Sequence, residues 1–342
     1  MIISKSIIFG AAAALTAAGL TACTVDVGDI QTQMDDAITE VVGPLSIVEI
    51  AQQVGPAVVQ LNVYDETGAG GTGSGFVISE DGFIVTNHHV AGTLGEDAFI
   101  DVIFADESVA AGELVGSDEG YDIAVVKVDV DGLTTLPFKR PLPEVVVGEL
   151  AVALGSPLGL SNTVTSGIVS ALNRPVTAGG DGSISFINAI QTDASINPGN
   201  SGGPLVNGYG ELIGVNTAIA SLGVPGAAGS IGLGFAIPVD TVQRVVNEII
   251  NTGSSTTPVI GVSLDTEFFG PGAKIAEVTP GGTGEEAGLK AGDIIVSVDG
   301  NLIAETTELI VSIRANAPGD VVELLVFSDG SNKTIEVTLG TQ

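Results

Sequence analysis

The sequence predicts a mostly β protein with two folded parts, a larger one of about a dozen short strands and a smaller α+β module behind it. Valine- and isoleucine-rich runs recur at short spacing, and 48 glycines supply turns between such runs. β-Branched runs bounded by turn residues are typical of strands. Because no long helix interrupts these runs before residue 241, we expect paired antiparallel barrels or a sandwich.

Length and charge limit the classes of protein to consider. The 342 residues suffice for two domains, since one domain usually takes about 100–200 residues. The chain has 41 acidic and 10 basic residues, which gives a formal net charge of −31. A nucleic-acid-binding protein needs a basic surface to neutralise phosphates, so nucleic acid is not an expected partner. The scattered acidic pairs indicate a solvated surface.

The first 45 residues are predicted to be an export signal and a tether. Residues 1–22 contain one lysine and a short, alanine-rich apolar run, as in a signal peptide. The run ends in the letters LTAC at residues 20–23, which resembles a bacterial lipobox, whose cysteine is lipidated. Cys23 is the only cysteine, so no intrachain disulfide is possible. We therefore expect lipid anchoring at Cys23 and a tether over residues 23–45. The expected location is the cell envelope, either the periplasm or the outer face of the membrane.

The first domain is predicted to cover residues 46–252. It begins with a short helix from Ser46 to Val54 and ends with a helix from Thr241 to Asn251, with Asp240 as N-cap and Gly253 as its end. Between them, strand-like runs occupy residues 57–63, 76–79, 83–86, 99–104, 111–115, 123–128, 150–154, 164–172, 184–191, 211–219 and 231–238.

A short polar linker over residues 253–258 is expected to precede the second domain, at 259–342. Strand signals in this domain lie at residues 259–262, 273–278, 293–298, 321–327 and 333–339. One apolar-faced helix, Thr306 to Arg314, is predicted before the fourth strand.

A candidate nucleophile lies in a glycine-rich stretch that runs from Asn197 to Leu205. Ser201 follows the letters NPGN and precedes GGP. Glycines allow a sharp turn and a close approach to a substrate, and successive N–H groups can converge there on an oxyanion. The hydroxyl is a nucleophile only if a base lies within reach.

The chain has two histidines, His88 and His89, so a histidine base must be one of them. Asp122 precedes an apolar strand, where it either caps a turn or accepts the imidazole N–H and so fixes its tautomer.

These motifs together resemble the HtrA/Deg family of chymotrypsin-like serine proteases. The resembling segments are residues 86–90 (TNHHV), 122–125 (DIAV), 199–205 (GNSGGPL) and 234–238 (GFAIP). Residues 259–262 (VIGV) and 288–295 (GLKAGDII) resemble a PDZ domain. The resemblance covers roughly residues 45–340 and implies a double β-barrel protease domain followed by one PDZ domain.

The family's catalytic residues map onto His89, Asp122 and Ser201 as base, orienting acid and nucleophile. His89 is chosen over its neighbour because it directly precedes the valine of the motif. The resemblance implies an oxyanion hole at Gly199, Asn200 and Ser201, with the Gly199 and Ser201 N–H groups as donors.

The resemblance also suggests where substrates bind. Ser195, six residues before the nucleophile, is expected at the floor of the pocket for the P1 side chain, and its neutrality gives no countercharge for Lys or Arg. Small to medium aliphatic P1 residues are therefore expected. The wall of that pocket is assigned to Ile231, Gly232, Leu233, Gly234 and Phe235. In the PDZ domain, the carboxylate-binding loop and strand edge are assigned to Val259, Ile260, Gly261 and Val262.

The implied function is an exported serine endopeptidase that degrades unfolded or damaged envelope proteins and binds C-terminal peptides. A peptide-binding adaptor or chaperone with an idle protease site, and a regulatory protease that cuts one membrane partner, are the alternatives. Family trimers often use aromatic contacts near the start of the protease domain; residues 24–63 contain none, so a homotrimer is left open. No metal-ligand cluster or nucleotide loop is present in the sequence, so no metal or cofactor is expected.

Overall fold

The computed structural model describes residues 43–95, 98–156, 163–178, 185–217, 230 and 232–342. The predictions for the signal peptide, for Cys23 and for Ile231 concern residues outside these ranges. No helix in the described ranges is long and apolar enough to cross a membrane.

The short helix predicted after Ser46 is present, and the structure shows a capping box at its start. Helix α1, Ile47–Val54, begins after Ser46, whose hydroxyl accepts a hydrogen bond from the Glu49 N–H at 3.3 Å. The Glu49 carboxylate in turn accepts one from the Ser46 N–H at 2.7 Å. This reciprocal pair satisfies two N–H groups that helix geometry leaves without partners. Ile50 and Val54 are buried and attach the helix to the core.

The first barrel contains six antiparallel strands, closed in the order β1-β2-β3-β6-β5-β4. They are β1 (Val58–Tyr64), β2 (Gly70–Val77), β3 (Phe83–Thr86), β4 (Phe99–Ile103), β5 (Val109–Asp118) and β6 (Ile123–Val128). A single helical turn, α2 (His88–Ala91), follows β3. The barrel interior is filled by aliphatic side chains such as Leu61, Ile84 and Val102.

A second closed barrel follows, in the order β10-β11-β12-β9-β8-β7. Its strands are β7 (Leu150–Gly155), β8 (Thr163–Ala178), β9 (Ser185–Thr192), β10 (Pro204–Val206), β11 (Leu212–Thr217) and β12 (Gly234–Pro238). The expectation of paired antiparallel barrels is confirmed.

The helix after the second barrel starts earlier than its sequence signals indicated. Helix α3, Val239–Thr252, has Pro238 at its N-cap position and no side-chain cap, so the prediction of Asp240 as N-cap is wrong. Asp240 lies within the first turn, where its carboxylate accepts from the Thr241 N–H at 2.7 Å. The fixed φ of proline favours a helix start, and the apolar Val239 is buried with the helix face. Gly253 ends the helix in the left-handed region at φ +81°, as predicted.

The second domain is a small α+β unit. Its main sheet has the strand order β14-β15-β16-β18-β19, and β17 pairs with β16. The strands β13 and β20 form a separate two-stranded sheet. The strands are β13 (Pro258–Val259), β14 (Val262–Leu264), β15 (Ala273–Val278), β16 (Ile294–Val298), β17 (Asn301–Leu302), β18 (Val321–Ser328), β19 (Ser331–Thr338) and β20 (Gly340–Thr341). Helices α4 (Thr283–Glu286) and α5 (Thr306–Arg314) complete it, the latter as predicted.

The strand predicted over residues 259–262 is interrupted in the structure. Val259 ends β13 and Val262 begins β14, because Gly261 between them has a left-handed φ of +65°. A Cβ on Gly261 would lie 3.4 Å from the Thr283 N, so the loop packs closely on α4. This break turns a strand into the loop-and-edge arrangement that a carboxylate-binding site requires.

Residues 44–342 form one compact unit, in which α5 packs against β8 and β9 of the second barrel. Arg314 donates to the Gly120 carbonyl at 3.1 Å, and the Tyr121 hydroxyl donates to the Arg314 carbonyl at 3.1 Å. The Arg314 guanidinium also lies 5.1 Å from the centre of the Phe186 ring. Burial raises the pKa of Tyr121, against the opposing charges of Arg244 and Arg314. The second domain therefore holds the two residues that precede Asp122.

Candidate active site

The predicted catalytic residues come from both barrels. His89 lies on α2, directly after β3, and Asp122 lies at the start of β6, both in the first barrel. Ser201 lies in the loop before β10 of the second barrel. The two barrels are joined at this loop, because the Ser74 N–H on β2 donates to the Ser201 carbonyl at 2.9 Å.

His89 and Asp122 form a close pair. The His89 Nδ1 lies 2.9 Å from Asp122 Oδ1 and 3.0 Å from Oδ2, and the His89 backbone N–H donates to Oδ1 at 3.1 Å. The aspartate side chain is 1% exposed and the histidine side chain 32% exposed. A buried carboxylate at Nδ1 holds the proton there and leaves Nε2 as the basic nitrogen.

The backbone of Asp122 is held in an unusual conformation. Its φ is +55°, in the left-handed region that few non-glycine residues adopt. The Asn87 side chain, directly before the histidine pair, donates to the Asp122 carbonyl at 2.8 Å. This bond fixes the carboxylate relative to the helical turn that carries His89.

Sequence reasoning missed one residue that contacts the catalytic pair. The Thr217 hydroxyl, at the end of β11, donates to Asp122 Oδ2 at 3.1 Å and is buried. It gives the carboxylate a further hydrogen-bond donor. A threonine at a strand end, 95 residues after the aspartate, gives no signal in the sequence, since only barrel closure brings the two together.

Two glycines shape the loop around Ser201. Gly199 and Gly202 have φ values of +103° and +84°. A Cβ on Gly202 would collide with the Ser74 carbonyl oxygen and the Thr86 hydroxyl. The Gly202 N–H donates to the Asn216 carbonyl at 2.9 Å, which ties the loop to β11.

Of the three residues predicted for the oxyanion hole, Asn200 provides no donor. Its N–H donates to the Asn197 carbonyl at 3.0 Å, closing a turn. Its side-chain amide donates to the Ser195 carbonyl at 3.2 Å. The other two predicted residues, Gly199 and Ser201, lie on either side of Asn200 in this loop.

Ser195, predicted at the floor of the P1 pocket, lies at the surface of the described chain. Its side chain is exposed, while its carbonyl accepts bonds from the Asn200 amide and, at 2.9 Å, from the Thr165 hydroxyl. The next residue, Ile196, is buried instead, and a Cβ on Gly234 would lie 2.6 Å from its Cγ1. Ile196 belongs to the buried core of the second barrel, and counting back from the nucleophile does not reveal which of the two adjacent side chains faces inward.

The predicted pocket wall is described from Gly232 onward. Gly232 is exposed, Leu233 is half-buried, and Gly234 and Phe235 are buried on β12. The Ser230 N–H donates to the Asn197 side chain at 2.7 Å, which brings this segment next to the Ser201 loop.

A second concave site lies on the PDZ-like domain. The cavity has a volume of about 800 Å³, and all four predicted residues, Val259, Ile260, Gly261 and Val262, line it. Its apolar surface is completed by Leu264 on β14 and by Leu309 and Ile313 on α5. In the sheet as described, β14 is an edge strand, so an extended peptide can pair with it. No cluster of three or more metal-ligating side chains was found in the described part of the chain.

Comparison with known families identifies both domains. Residues 73–215 match the trypsin-like peptidase domain, and residues 258–339 match the PDZ domain. Among curated proteins, the chain is 43% identical over 311 residues to the serine protease PepD of Mycobacterium tuberculosis, covering 87% of this chain and 66% of PepD. It is 42% identical over 278 residues to a probable periplasmic serine endoprotease, DegP-like, of Halomonas elongata, covering 78% of this chain and 56% of that protein. The chain thus spans between half and two thirds of the length of these relatives.

Two solved structures are similar to this chain along nearly their whole length. The HtrA-type protease AlgW with a tripeptide superposes with a TM-score of 0.66 at 31% identity, covering 87% of this chain and 97% of AlgW. The serine endoprotease from Yersinia pestis gives a TM-score of 0.61 at 32% identity, covering 88% of this chain and 99% of that chain. With the paired barrels, the PDZ domain and these relatives, the chain belongs to the HtrA family of chymotrypsin-like serine endopeptidases.

Proposed function

We propose that this chain is an exported, lipid-anchored serine endopeptidase that degrades unfolded or damaged proteins of the cell envelope. The observation that carries the proposal is the buried Asp122 carboxylate bound to His89 Nδ1, beside a glycine-rich loop that presents Ser201. Catalysis is assigned to His89, Asp122 and Ser201, and the oxyanion hole to the N–H groups of Gly199 and Ser201.

The reaction follows from these assignments. Ser201 Oγ attacks the scissile carbonyl carbon while His89 Nε2 takes the hydroxyl proton. The carbonyl oxygen becomes an oxyanion that accepts hydrogen bonds from the Gly199 and Ser201 N–H groups, a contribution of about 3 kcal/mol for one donor in related chemistry. His89 then gives the proton to the leaving amine, which leaves an acyl-enzyme. Water, deprotonated by His89, attacks the ester, and Ser201 leaves with its proton restored.

The buried carboxylate stabilises the imidazolium that forms in each half-reaction. Asp122 accepts three kinds of donor, the His89 ring, the His89 backbone N–H and the Thr217 hydroxyl. These bonds fix the carboxylate before the reaction starts, so little reorganisation is needed when His89 becomes charged.

The PDZ domain is proposed to bind the C-terminus of a substrate or effector peptide. An extended peptide would add to β14, its carboxylate held by backbone N–H groups of the loop at Ile260 and Gly261. The structure of AlgW has been solved with a tripeptide and with a decapeptide. These complexes support the proposal that the present chain also binds peptides. The apolar side chains of the cavity favour an apolar C-terminal residue.

The envelope location rests on relatives named as periplasmic endoproteases. Lipidation of Cys23, with residues 23–45 as a tether, is our proposal for how the enzyme is held at the membrane. A homotrimer remains part of the proposal on family grounds.

A second candidate function, a regulated protease that cuts one membrane partner, is favoured by the contacts of Arg314. This residue lines the peptide cavity and also donates to the Gly120 carbonyl, two residues before Asp122. A peptide that displaces Arg314 would alter the segment that positions the catalytic carboxylate.

Labelling of the full chain with a fluorophosphonate, mapped by mass spectrometry, tests the proposal. The reagent phosphonylates a serine that is activated by a base and an oxyanion hole, and fluoride is the leaving group. We expect modification of Ser201 in the absence of peptide if quality control is the function. Modification only after addition of a peptide ending in valine supports the regulated protease. A folded protein that stays unlabelled in both conditions would favour the adaptor and refute the catalytic assignment.

Substrate selection at P1 gives a separate prediction. Because Ile196 is buried beside Gly234 and Ser195 is exposed, we expect Ile196→Ala to shift preference from Val toward Leu or Phe by about tenfold in kcat/KM, in the range that one or two methylenes supply. Ser195→Asp, the paired variant, is expected to leave Arg at P1 as poor a substrate as before. A fluorogenic peptide series varied at P1 measures both; new cleavage after Arg in Ser195→Asp would place Ser195, and not Ile196, at the pocket floor.

A further inference from the structure

Ser74 lies outside the catalytic triad, yet it contacts the loop that carries the nucleophile. It is on β2 of the first barrel and is 0% exposed. Its hydroxyl donates to the Gly199 carbonyl at 2.5 Å and accepts from the Ser156 N–H at 2.8 Å. Ser156 directly follows β7, so this one hydroxyl connects the first barrel to two segments of the second.

The backbone of Ser74 contributes to the same junction. Its N–H donates to the Ser201 carbonyl at 2.9 Å, and its carbonyl accepts from the Thr86 hydroxyl at 2.6 Å. Ser74 therefore holds two carbonyl groups of the nucleophile loop, one from Gly199 and one from Ser201.

The held peptide group lies between the two oxyanion donors. The carbonyl of the Gly199–Asn200 peptide accepts from Ser74, and the N–H of the same peptide donates to Asn197 at 3.0 Å. Gly199 is at φ +103°, and a glycine there can rotate at little steric cost. The Ser74 hydroxyl opposes such a rotation, because the carbonyl would leave a buried donor unpaired.

We propose that Ser74 is a positioning residue for the oxyanion hole, acting through the Gly199 carbonyl to keep the Gly199 and Ser201 N–H groups convergent. The inference rests on the proposed roles of Gly199 and Ser201 in catalysis. The close packing around the Ser74 hydroxyl supports this proposal. A Cβ on Gly155 would lie 2.7 Å from the Asn200 side-chain oxygen and 3.1 Å from Ser74 Oγ. The space around the hydroxyl is thus closed, and its direction is set.

The test is Ser74→Ala in the full chain, assayed with a fluorogenic peptide and a peptide boronic acid, both with a valine side chain at P1. The boronate forms a tetrahedral adduct with Ser201 and places one hydroxyl in the oxyanion hole. Loss of a whole donor costs about 10²–10³ in kcat, so loss of its positioning is expected to lower kcat about tenfold or more. Boronate affinity should fall by a similar factor, with KM unchanged.

Val102→Ala is the control for a merely structural effect, since Val102 is buried in the core of the first barrel away from the loop. It should lower the melting temperature and leave kcat and boronate affinity unchanged. If Ser74→Ala does not fold, Ser74→Cys keeps a side chain of similar shape with a weaker donor, and it should give a smaller joint loss of kcat and boronate affinity.

The outcomes separate the inference from the proposed function. Wild-type kcat and boronate affinity in Ser74→Ala would overturn the role of Ser74 and leave the catalytic assignment intact. A fall in kcat with unchanged boronate affinity would also overturn it, because the loss would then arise outside the oxyanion hole. Absence of fluorophosphonate labelling at Ser201 in the wild-type protein would instead refute the proposed function itself.

Discussion

Replacing Asp122 by asparagine is expected to lower kcat by about four orders of magnitude, as loss of the orienting carboxylate does in such triads. The His89 backbone N–H donates to Oδ1 at 3.1 Å, so the amide oxygen of the variant must take that place. The NH₂ group then occupies the position of Oδ2, 3.0 Å from His89 Nδ1. It donates to Nδ1 and moves the ring proton to Nε2, where it prevents His89 from accepting the Ser201 proton.

Steady-state kinetics with the fluorogenic valine peptide measure this loss. KM should change little, since Asp122 is buried and does not reach the substrate. The matched control is Asp293→Asn in the PDZ domain, a buried aspartate that accepts from the Lys290 N–H at 3.0 Å. It removes the same charge and should keep wild-type kcat. A kcat for Asp122→Asn within tenfold of wild type would mean that the carboxylate does not set the histidine tautomer.

The sequence was sufficient to predict the architecture and the order of the catalytic motifs. Strand-like runs bounded by glycines mark the strands of both barrels. The absence of a long helix before residue 241 indicates that this part of the chain is built from strands. His89, Asp122 and Ser201 could each be named because the motifs around them are local. Paired barrels, one PDZ domain and the last helix of that domain all follow from the sequence.

What the sequence could not supply is the direction of individual groups within the nucleophile loop. Whether the Asn200 N–H faces an oxyanion or closes a turn depends on peptide rotation, which the residue types do not determine. The same holds for Ser195 and Ile196, which are adjacent in sequence and differ only in which side chain faces inward. Thr217 and Ser74 reach the site from distant strands, so only the closed barrels bring their hydroxyls to Asp122 and Gly199.

The start of α3 also could not be predicted from residue types alone. Asp240 is a good N-cap residue by type, yet α3 begins at Val239, two residues before the predicted start, and Val239 is buried with the apolar face of the helix. Local preference was overruled by packing against the barrel.

Gly202→Ala is expected to have the largest effect on stability, about 3 kcal/mol or more, through steric overlap together with backbone strain. Gly202 is at φ +84°, and its missing Cβ points at the Ser74 carbonyl and the Thr86 hydroxyl. The Asn87 backbone nitrogen lies 3.1 Å away on the same side. These are backbone or short, buried groups, so none can move aside without displacing β2, β3 or the turn that carries His89.

Gly253→Ala separates steric overlap from backbone strain. Gly253 has nearly the same φ, +81°, at the end of α3, but no atom lies within 4 Å of a Cβ placed there. Its alanine variant should cost only about 1 kcal/mol, the price of a left-handed alanine. Urea unfolding of the two variants gives both free energies. If Gly202→Ala lost no more stability than Gly253→Ala, the barrels could not be in contact at the Ser201 loop as described. If the difference is as large as expected, the need for glycine after the nucleophile comes from how tightly the two barrels close around it, because strain in φ alone is common to both sites.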